Sequence, residues 1–545
     1  MRWVWDGLSI RTSGGLRGQC AREHRFGWHR ATGRLANTLA IRVLGGASLI
    51  ALMSSATGCD PTVRFPENAL DSQRHDHGIV LAYDINGDRK PDYWQQNNPA
   101  GRTVMLRFDD NRDGDPDETV DLRRIQARDV PHLIIALDGC PYDCVEDVYK
   151  EGGFRLFYPP ARMISTFPAM TDVALSRIWH CGPNRAYQAL YFDQTTGRHN
   201  DGNVAYLKAE NSPWVPKMAY RCSFWWDANA YLTPTAVFDH EMRGIYRAFG
   251  KIRHGTAAGY AVGTAGLGTR GGRDAIIEYL RRVDRLCQQI VYERRGRVTI
   301  SVLADHGQGL KRCKRVSFKD YLKDHGLVLG KRLKGPDDVV TVEYGLVTYA
   351  AFFTANRDKL AEALRRHEAV ELVFCKNGSN VTVLDRTGRA VITRIEQGYR
   401  YERIDGDPLK IGPIIERLRQ QGKVTDDGVI DDRALLDATA THDYPDPLHR
   451  AWWAFNGATE VYADVIASLH NGYSHGGAFF DFMIGGAAST HGSIDRLSST
   501  SFVLTMRRPM PAVLRVEDVL GLLEDVDGVS SSLPAARGEA KQDKR

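Results

Sequence analysis

Two runs of apolar residues end in the same way. Leu133 to Leu137 runs straight into Asp138-Gly139, and Val298 to Ala304 runs into Asp305-His306-Gly307. A short, continuously apolar run bounded by turn residues predicts a strand buried on both faces, as in a parallel sheet. Open α/β sheets build their sites beyond the carboxyl ends of such strands. From Asp274 to Tyr292 the apolar positions Ile276, Leu280, Val283, Cys287 and Ile290 recur at helical spacing. That amphipathic helix leads through Gly296 into the second strand and predicts a helix-then-strand unit of a parallel sheet. Residues 371–394 alternate as a hairpin, with Leu372–Phe374, a turn at Asn377-Gly378, Val381–Leu384, and a second turn at Thr387-Gly388. Tyr462 to Leu469 is another strand-like run, and the polar, Pro-containing residues 420–450 are expected to cover one face. The predicted fold is α/β, a three-layer α/β/α sandwich around a mainly parallel sheet.

Composition bounds what surrounds this core. The chain has 545 residues, 43% of them hydrophobic, and a formal charge of +5. The charge misleads, because residues 1–58 hold eight arginines against Asp6 and Glu23, leaving the rest near −1. A basic nucleic-acid-binding surface is therefore not expected. The segment 1–58 has the pattern of a targeting sequence: Arg34 and Arg42 precede an apolar run, Val43 to Met53, that is short for a membrane span. It ends in Ser55-Ala56-Thr57-Gly58-Cys59, which resembles the lipobox of bacterial lipoproteins. That resemblance implies cleavage before Cys59, lipidation of its thiol, and a membrane-anchored body in the bacterial cell envelope, on the periplasmic or extracellular face. An uncleaved anchor is the alternative. Residues 59–80 are expected to form a linker, 81–125 a small segment of their own, 130–520 the catalytic body with an insertion at about 311–460, and 530–545 a disordered tail.

The segment 81–125 contains a repeat. Tyr83 is followed by Asp84, Asn86, Asp88 and Asp92, and Phe108 by Asp109, Asn111, Asp113 and Asp117. Oxygen ligands at alternate positions of a tight loop suit calcium, and both loops resemble those of EF-hand, dockerin and thrombospondin-type repeats. Gln95 and Val120 stand where an EF-hand has its closing Glu, which favours strand–loop–strand units. Cys140 with Cys144, and Cys181 with Cys222, are possible disulfides, while Cys287 and Cys375 have the pattern of buried thiols.

The order Asp138-Gly139, Thr166-Phe167-Pro168, Asp305-His306-Gly307, Thr490-His491-Gly492 resembles the alkaline phosphatase superfamily, and within it the nucleotide pyrophosphatase/phosphodiesterase branch. The resemblance implies a metal-dependent phosphoric-ester hydrolase, a phosphodiesterase or phosphatase, acting on a phosphate-ester small molecule. It further implies that Asp138, Asp305 and His306 hold one divalent ion, zinc above all, that Thr166 binds the same ion and is the nucleophile, and that His491 helps hold a second ion. Carboxylates, imidazoles and a hydroxyl suit such chemistry, since a cation lowers the pKa of a bound hydroxyl. The chain departs from the family at Ala265 and Thr269, where the second ion's Asp and His are expected, and at Ala169, where the branch has a phosphate-contacting Asn. Three readings follow: one firmly bound ion beside a modified second site, substitute ligands from Asp239-His240-Glu241 or His254, or lost hydrolysis. In the last case the chain is a cell-surface binding protein for anionic or phosphorylated ligands. His470 and His475 are further candidates for the cleft, and Trp225, Trp226, Trp452 and Trp453 are expected to pack in cores rather than bind substrate.

Overall fold

The computed structural model describes residues 63–76, 78–200 and 202–524. Cys59, residues 1–58 and residues 530–545 lie outside the described residues. A seven-stranded sheet forms the centre. In chain order its strands are β1 (His132–Leu137), β2 (Ala161–Ile164), β3 (Met218–Tyr220), β4 (Thr256–Ala261), β5 (Thr299–Ala304), β6 (Thr500–Thr505) and β7 (Val513–Arg515). They lie in the order β3-β4-β1-β5-β6-β2-β7. All run parallel except β6, which is antiparallel to both neighbours.

The two central strands, β1 and β5, are buried throughout because each face meets a helical layer. Leu133, Ile135 and Leu137 point into a cluster with Val145 and Val148 of helix α1 (Tyr142–Lys150) and with Ile276, Leu280, Val283 and Ile290 of α4 (Gly263–Glu293). Ile134 and Ala136 point the other way, to Ala174, Leu175 and Ile178 of helix α2 (Thr171–Ile178) and to Val519 and Leu523. This is the period-two alternation of a strand with both faces covered, and it makes the expected three-layer sandwich. The helix predicted from Asp274 extends back to Gly263, with a break at Gly272, whose φ of 65° and ψ of −149° are not helical. Helix α3 (Pro234–Phe249) packs beside it, and among the described residues no helix is long and apolar enough to cross a membrane.

The stretch 311–470 builds a second sheet of nine strands. The expected hairpin is present as Val370–Asn377 paired with Asn380–Leu384, followed by Arg389–Ile395. Tyr349–Thr354 and Val465–Leu469 pair antiparallel at its middle. Two buried arginines tie this sheet's helices to the central one. Arg515 at the end of β7 makes paired bonds of 2.6–3.0 Å to Asp432 and Asp446. Arg450 donates to the carbonyls of Pro445, Ile494 and Thr166 at 2.9–3.1 Å and to Ser499 Oγ at 2.5 Å.

A five-stranded antiparallel meander precedes the sandwich and packs Tyr93 and Phe108 against Tyr292 of α4. The two acidic loops join its strands, Gly78–Tyr83 to Tyr93–Asn97 and Thr103–Phe108 to Glu118–Asp121, as strand–loop–strand units. Their side chains accept backbone N–H groups of their own loops: Asp84 from Gly87 and Arg89, Asp109 from Arg112 and Gly114, Asn86 from Asp88, and Asn111 from Asp113. Asp92 and Asp117 likewise accept from the loop starts, and Asp88 and Asp113 from Lys90 and Asp115. The described cysteines are all free thiols, so neither of the two possible disulfides is formed. Cys287 and Cys375 are buried as expected.

Candidate metal centre

β1 and β5 lie side by side in parallel register, Leu137 opposite Ala304, so Asp138 and Asp305 leave the sheet as neighbours. Gly139 follows at φ 62°, a left-handed conformation that suits glycine, and its N–H donates to Asp305 Oδ1 at 2.9 Å. The His306 N–H donates to the same oxygen, also at 2.9 Å. The other oxygen, Asp305 Oδ2, is buried without a hydrogen-bond partner. It lies 3.5 Å from His306 Nε2, which is 3.6 Å from Asp138 Oδ1.

The tautomer of His306 follows from its surroundings. Nδ1 faces the Gly307 carbonyl at 2.9 Å and donates there, so Nε2 presents a lone pair. Burial holds this imidazole down to about 4, so the ring is neutral and its approach to the carboxylates is not an ion pair. Two carboxylate oxygens and an imidazole lone pair therefore face one another. Among the described residues Asp138, Asp305 and His306 are the one group of three ionisable side chains whose ligand atoms lie within 4.8 Å of each other. Burial, then mutual repulsion, pushes the Asp138 carboxyl well above its usual range, and burial pushes Asp305 up as well. A cation relieves such an arrangement, and the donor set of two carboxylates and an imidazole suits a divalent metal.

The hydroxyl at this centre belongs to Thr171, not Thr166. Thr171 is the first residue of α2, and its Oγ1 lies 3.3 Å from Asp138 Oδ1 and 3.1 Å from His306 Nε2. Thr166 is buried, and its hydroxyl donates to the carbonyl of Pro168 at 3.0 Å. The hydroxyl beside the carboxylates thus comes from a residue five places on from Thr166, because the chain turns through Phe167-Pro168 before the helix begins. Met170, which caps the helix, offers no side-chain acceptor to the first turn. That end consequently presents N–H groups and the positive end of the helix dipole beside the carboxylates, a setting that favours a bound anion.

Tyr260, which the sequence reading passed over, completes the setting of Asp138. It stands on β4, opposite Ala136 of β1, and donates its phenol to Asp138 Oδ2 at 2.5 Å. Thr264 anchors the Asp138 carbonyl at 2.6 Å. His491 is brought close: its ring stacks on His306 with centroids 3.9 Å apart, and its Nδ1 faces the Ala169 carbonyl at 2.8 Å.

The substitute ligands do not join this group. Asp239 pairs with Arg282, and His240 stacks on Trp226 at 4.0 Å. Glu241 caps α4 by accepting from Val262 at 2.9 Å and Gly263 at 2.8 Å, and His254 is exposed. Ala265 and Thr269 are both buried in the first turns of α4, and Gln308 donates to the Ala265 carbonyl at 3.2 Å. His475 is buried against Phe318, and His470 lines a separate cleft with Glu371 and Lys311. Trp452 and Trp453 pack on the core of the second sheet, as expected of them, whereas Trp225 is largely exposed.

A cavity of about 440 Å³ opens beside the centre, with Asp138, Thr171, Thr269 and His491 on its floor.

No protein-family model matches the chain, and no curated protein matches its sequence. Among solved structures the chain is similar to phosphonoacetate hydrolase from Sinorhizobium meliloti 1021 in complex with phosphonoformate, at 12% identity and a TM-score of 0.42, over 72% of this chain and 94% of that one. It is also similar to human ectonucleotide pyrophosphatase/phosphodiesterase 5, at 12% identity and a TM-score of 0.41, over 72% of this chain and 93% of that one.

Proposed function

We propose that the chain is a divalent-metal-dependent hydrolase of phosphoric esters, with one ion per chain and Thr171 as the nucleophile. The observation that carries this reading is the unpartnered Asp305 Oδ2 facing Asp138 Oδ1 and the His306 Nε2 lone pair, with the Thr171 hydroxyl against the same atoms. Asp138, Asp305 and His306 would hold the ion, and when bound it would supply positive charge that favours the Thr171 alkoxide and a phosphoryl group's oxygens. The remaining work falls to the chain. With His306 Nε2 and Asp138 Oδ1 on the ion, the Thr171 proton would pass to water in the cavity that Thr171 lines. The Tyr260 phenol and the Gly139 N–H fix the two carboxylates. The start of α2 offers N–H groups to the phosphoryl oxygens as they gain charge. Attack by Thr171 Oγ1 on phosphorus would form a threonine phosphoester and release an alcohol, and water would then release phosphate or a phosphomonoester.

Ala265 carries no ligand and Thr269 only a neutral hydroxyl, which supports one ion rather than two. They also support a second reading, a protein that binds phosphorylated ligands at this centre without turnover. Purified protein supplied with zinc, manganese or magnesium separates the two: nitrophenol released from bis(p-nitrophenyl) phosphate and stopped by chelation supports the hydrolase, and its absence with one ion bound supports the binding protein. Two accessory features are proposed with less at stake for the chemistry: calcium in the loops 84–92 and 109–117, tested by a calcium-dependent shift in melting temperature, and lipidation of Cys59, tested by mass spectrometry of the mature N-terminus.

A further inference from the structure

The wall of the cavity beside the metal centre differs from its floor. Tyr187, Tyr206, Trp214, Phe224, Tyr231 and Phe480 line it together with Leu346 and Val347. Its one guanidinium, Arg221, is bonded to Asp227 at 2.7 Å and so is neutralised in place. The remaining wall charge is negative. Asp172, next to Thr171, lies on the wall and accepts from Ser212 at 2.6 Å and from the Trp214 indole at 2.9 Å. A ligand with two or more negative charges would meet these carboxylates with no free cation of the wall to answer them. A monoanion whose other end is apolar meets aromatic rings.

The apolar surface continues outward. Phe480 meets Tyr231 edge-on with ring centroids 5.4 Å apart, joining the segment Phe224–Tyr231 to the helix Ala478–Ile484. On that helix Phe479 and Phe482 are 66% and 82% exposed, and Trp225, beside Phe224, is 66% exposed. Exposed large aromatics on the two segments that form a cavity wall mark a surface built to bind.

We propose that the substrate is a monoanionic phosphodiester bearing an apolar group, an alkyl chain or aryl ring, which lies along the Tyr206–Phe224–Tyr231–Phe480 wall and, when long, reaches Phe479 and Phe482. This rests on the hydrolase reading for its chemistry but not for its binding preference, so the test reads binding directly. Isothermal titration compares two stable monoanions, the hexyl and methyl monoesters of methylphosphonic acid, on the metal-loaded protein. The expected result is at least tenfold tighter binding of the hexyl ester, with the margin falling below threefold in Phe480→Ala while the methyl ester's affinity stays the same. Phe480 is only half-buried, so this variant is expected to fold, and an unchanged melting curve verifies it. Equal affinity for the two esters, or a margin that survives Phe480→Ala, overturns the proposal. Turnover of bis(p-nitrophenyl) phosphate is measured in parallel: its absence would refute the hydrolase while leaving the binding preference to stand or fall on the titration.

Discussion

The sharpest test sets two threonines against each other. Thr171 Oγ1 sits 3.1–3.3 Å from His306 and Asp138, whereas Thr166 Oγ1 is spent on the Pro168 carbonyl. Replacing either by valine keeps the branched shape and deletes one hydroxyl. At position 166 the loss is one buried hydrogen bond, about 1 kcal/mol of stability, with no atom removed from the centre. Turnover is expected to stay within about threefold, since 1.4 kcal/mol would be needed at the barrier for a tenfold change. At position 171 the proposed attacking atom itself disappears. A nucleophile that splits a difficult displacement into two easier steps is worth about 10³-fold or more, roughly 4 kcal/mol of barrier. Thr171→Ser restores an oxygen at the helix start and should recover turnover to within about tenfold. The assay is nitrophenol release from bis(p-nitrophenyl) phosphate at saturating manganese or zinc, with metal content and melting temperature recorded for each variant. A dead Thr166→Val beside an active Thr171→Val, both folded and metal-loaded, would refute the assignment.

Asp305→Asn should lower bound metal from about one ion per chain to less than about a tenth, by metal analysis after dialysis. In chelator the same variant should melt higher than the wild type, because it removes one of two facing buried carboxylates. The pH dependence has the same origin. Both folded-state carboxyls are raised above the ordinary range, so their contribution is fully present below that range and is lost as pH rises through the folded values. Calorimetry in chelator should therefore show the stability of the wild type relative to Asp305→Asn falling from about pH 4 upward, a fall that bound metal suppresses. Tyr260→Phe deletes the phenol on Asp138 Oδ2 and should weaken metal binding by about tenfold or more, measured by competition with a chromophoric chelator. Arg450→Met leaves three carbonyls and the Ser499 hydroxyl without their donor and should cost about 3–5 kcal/mol in denaturant unfolding, while metal content of the folded fraction is kept.

The sequence disclosed the parts of the site whose position depends on one strand and concealed those that depend on how strands and turns meet. Asp138, Asp305 and His306 were legible because a strand covered on both faces must be apolar to its end, so the first charged residue marks its carboxyl edge. Which threonine faces them was not legible. Thr166 lies two residues beyond the end of β2, but the chain turns before α2 starts, and the helix start, not the strand end, sets the direction of the hydroxyl. Tyr260 carries no mark of its own in the sequence; only the register that puts it opposite Ala136 turns its phenol to Asp138. Arg450 ends the stretch read as a polar cover and Arg515 lies beyond it, yet both are buried by partners distant in sequence, Thr166 for one and Asp446 for the other. A charged residue carries no sequence mark that separates a solvated face from a buried clamp, because its partners are chosen by tertiary packing. The same reasoning applies to the cavity wall. Its rings come from segments spread between Tyr187 and Phe480, each too short to show periodicity, so its apolar character appears only once the fold has brought them together.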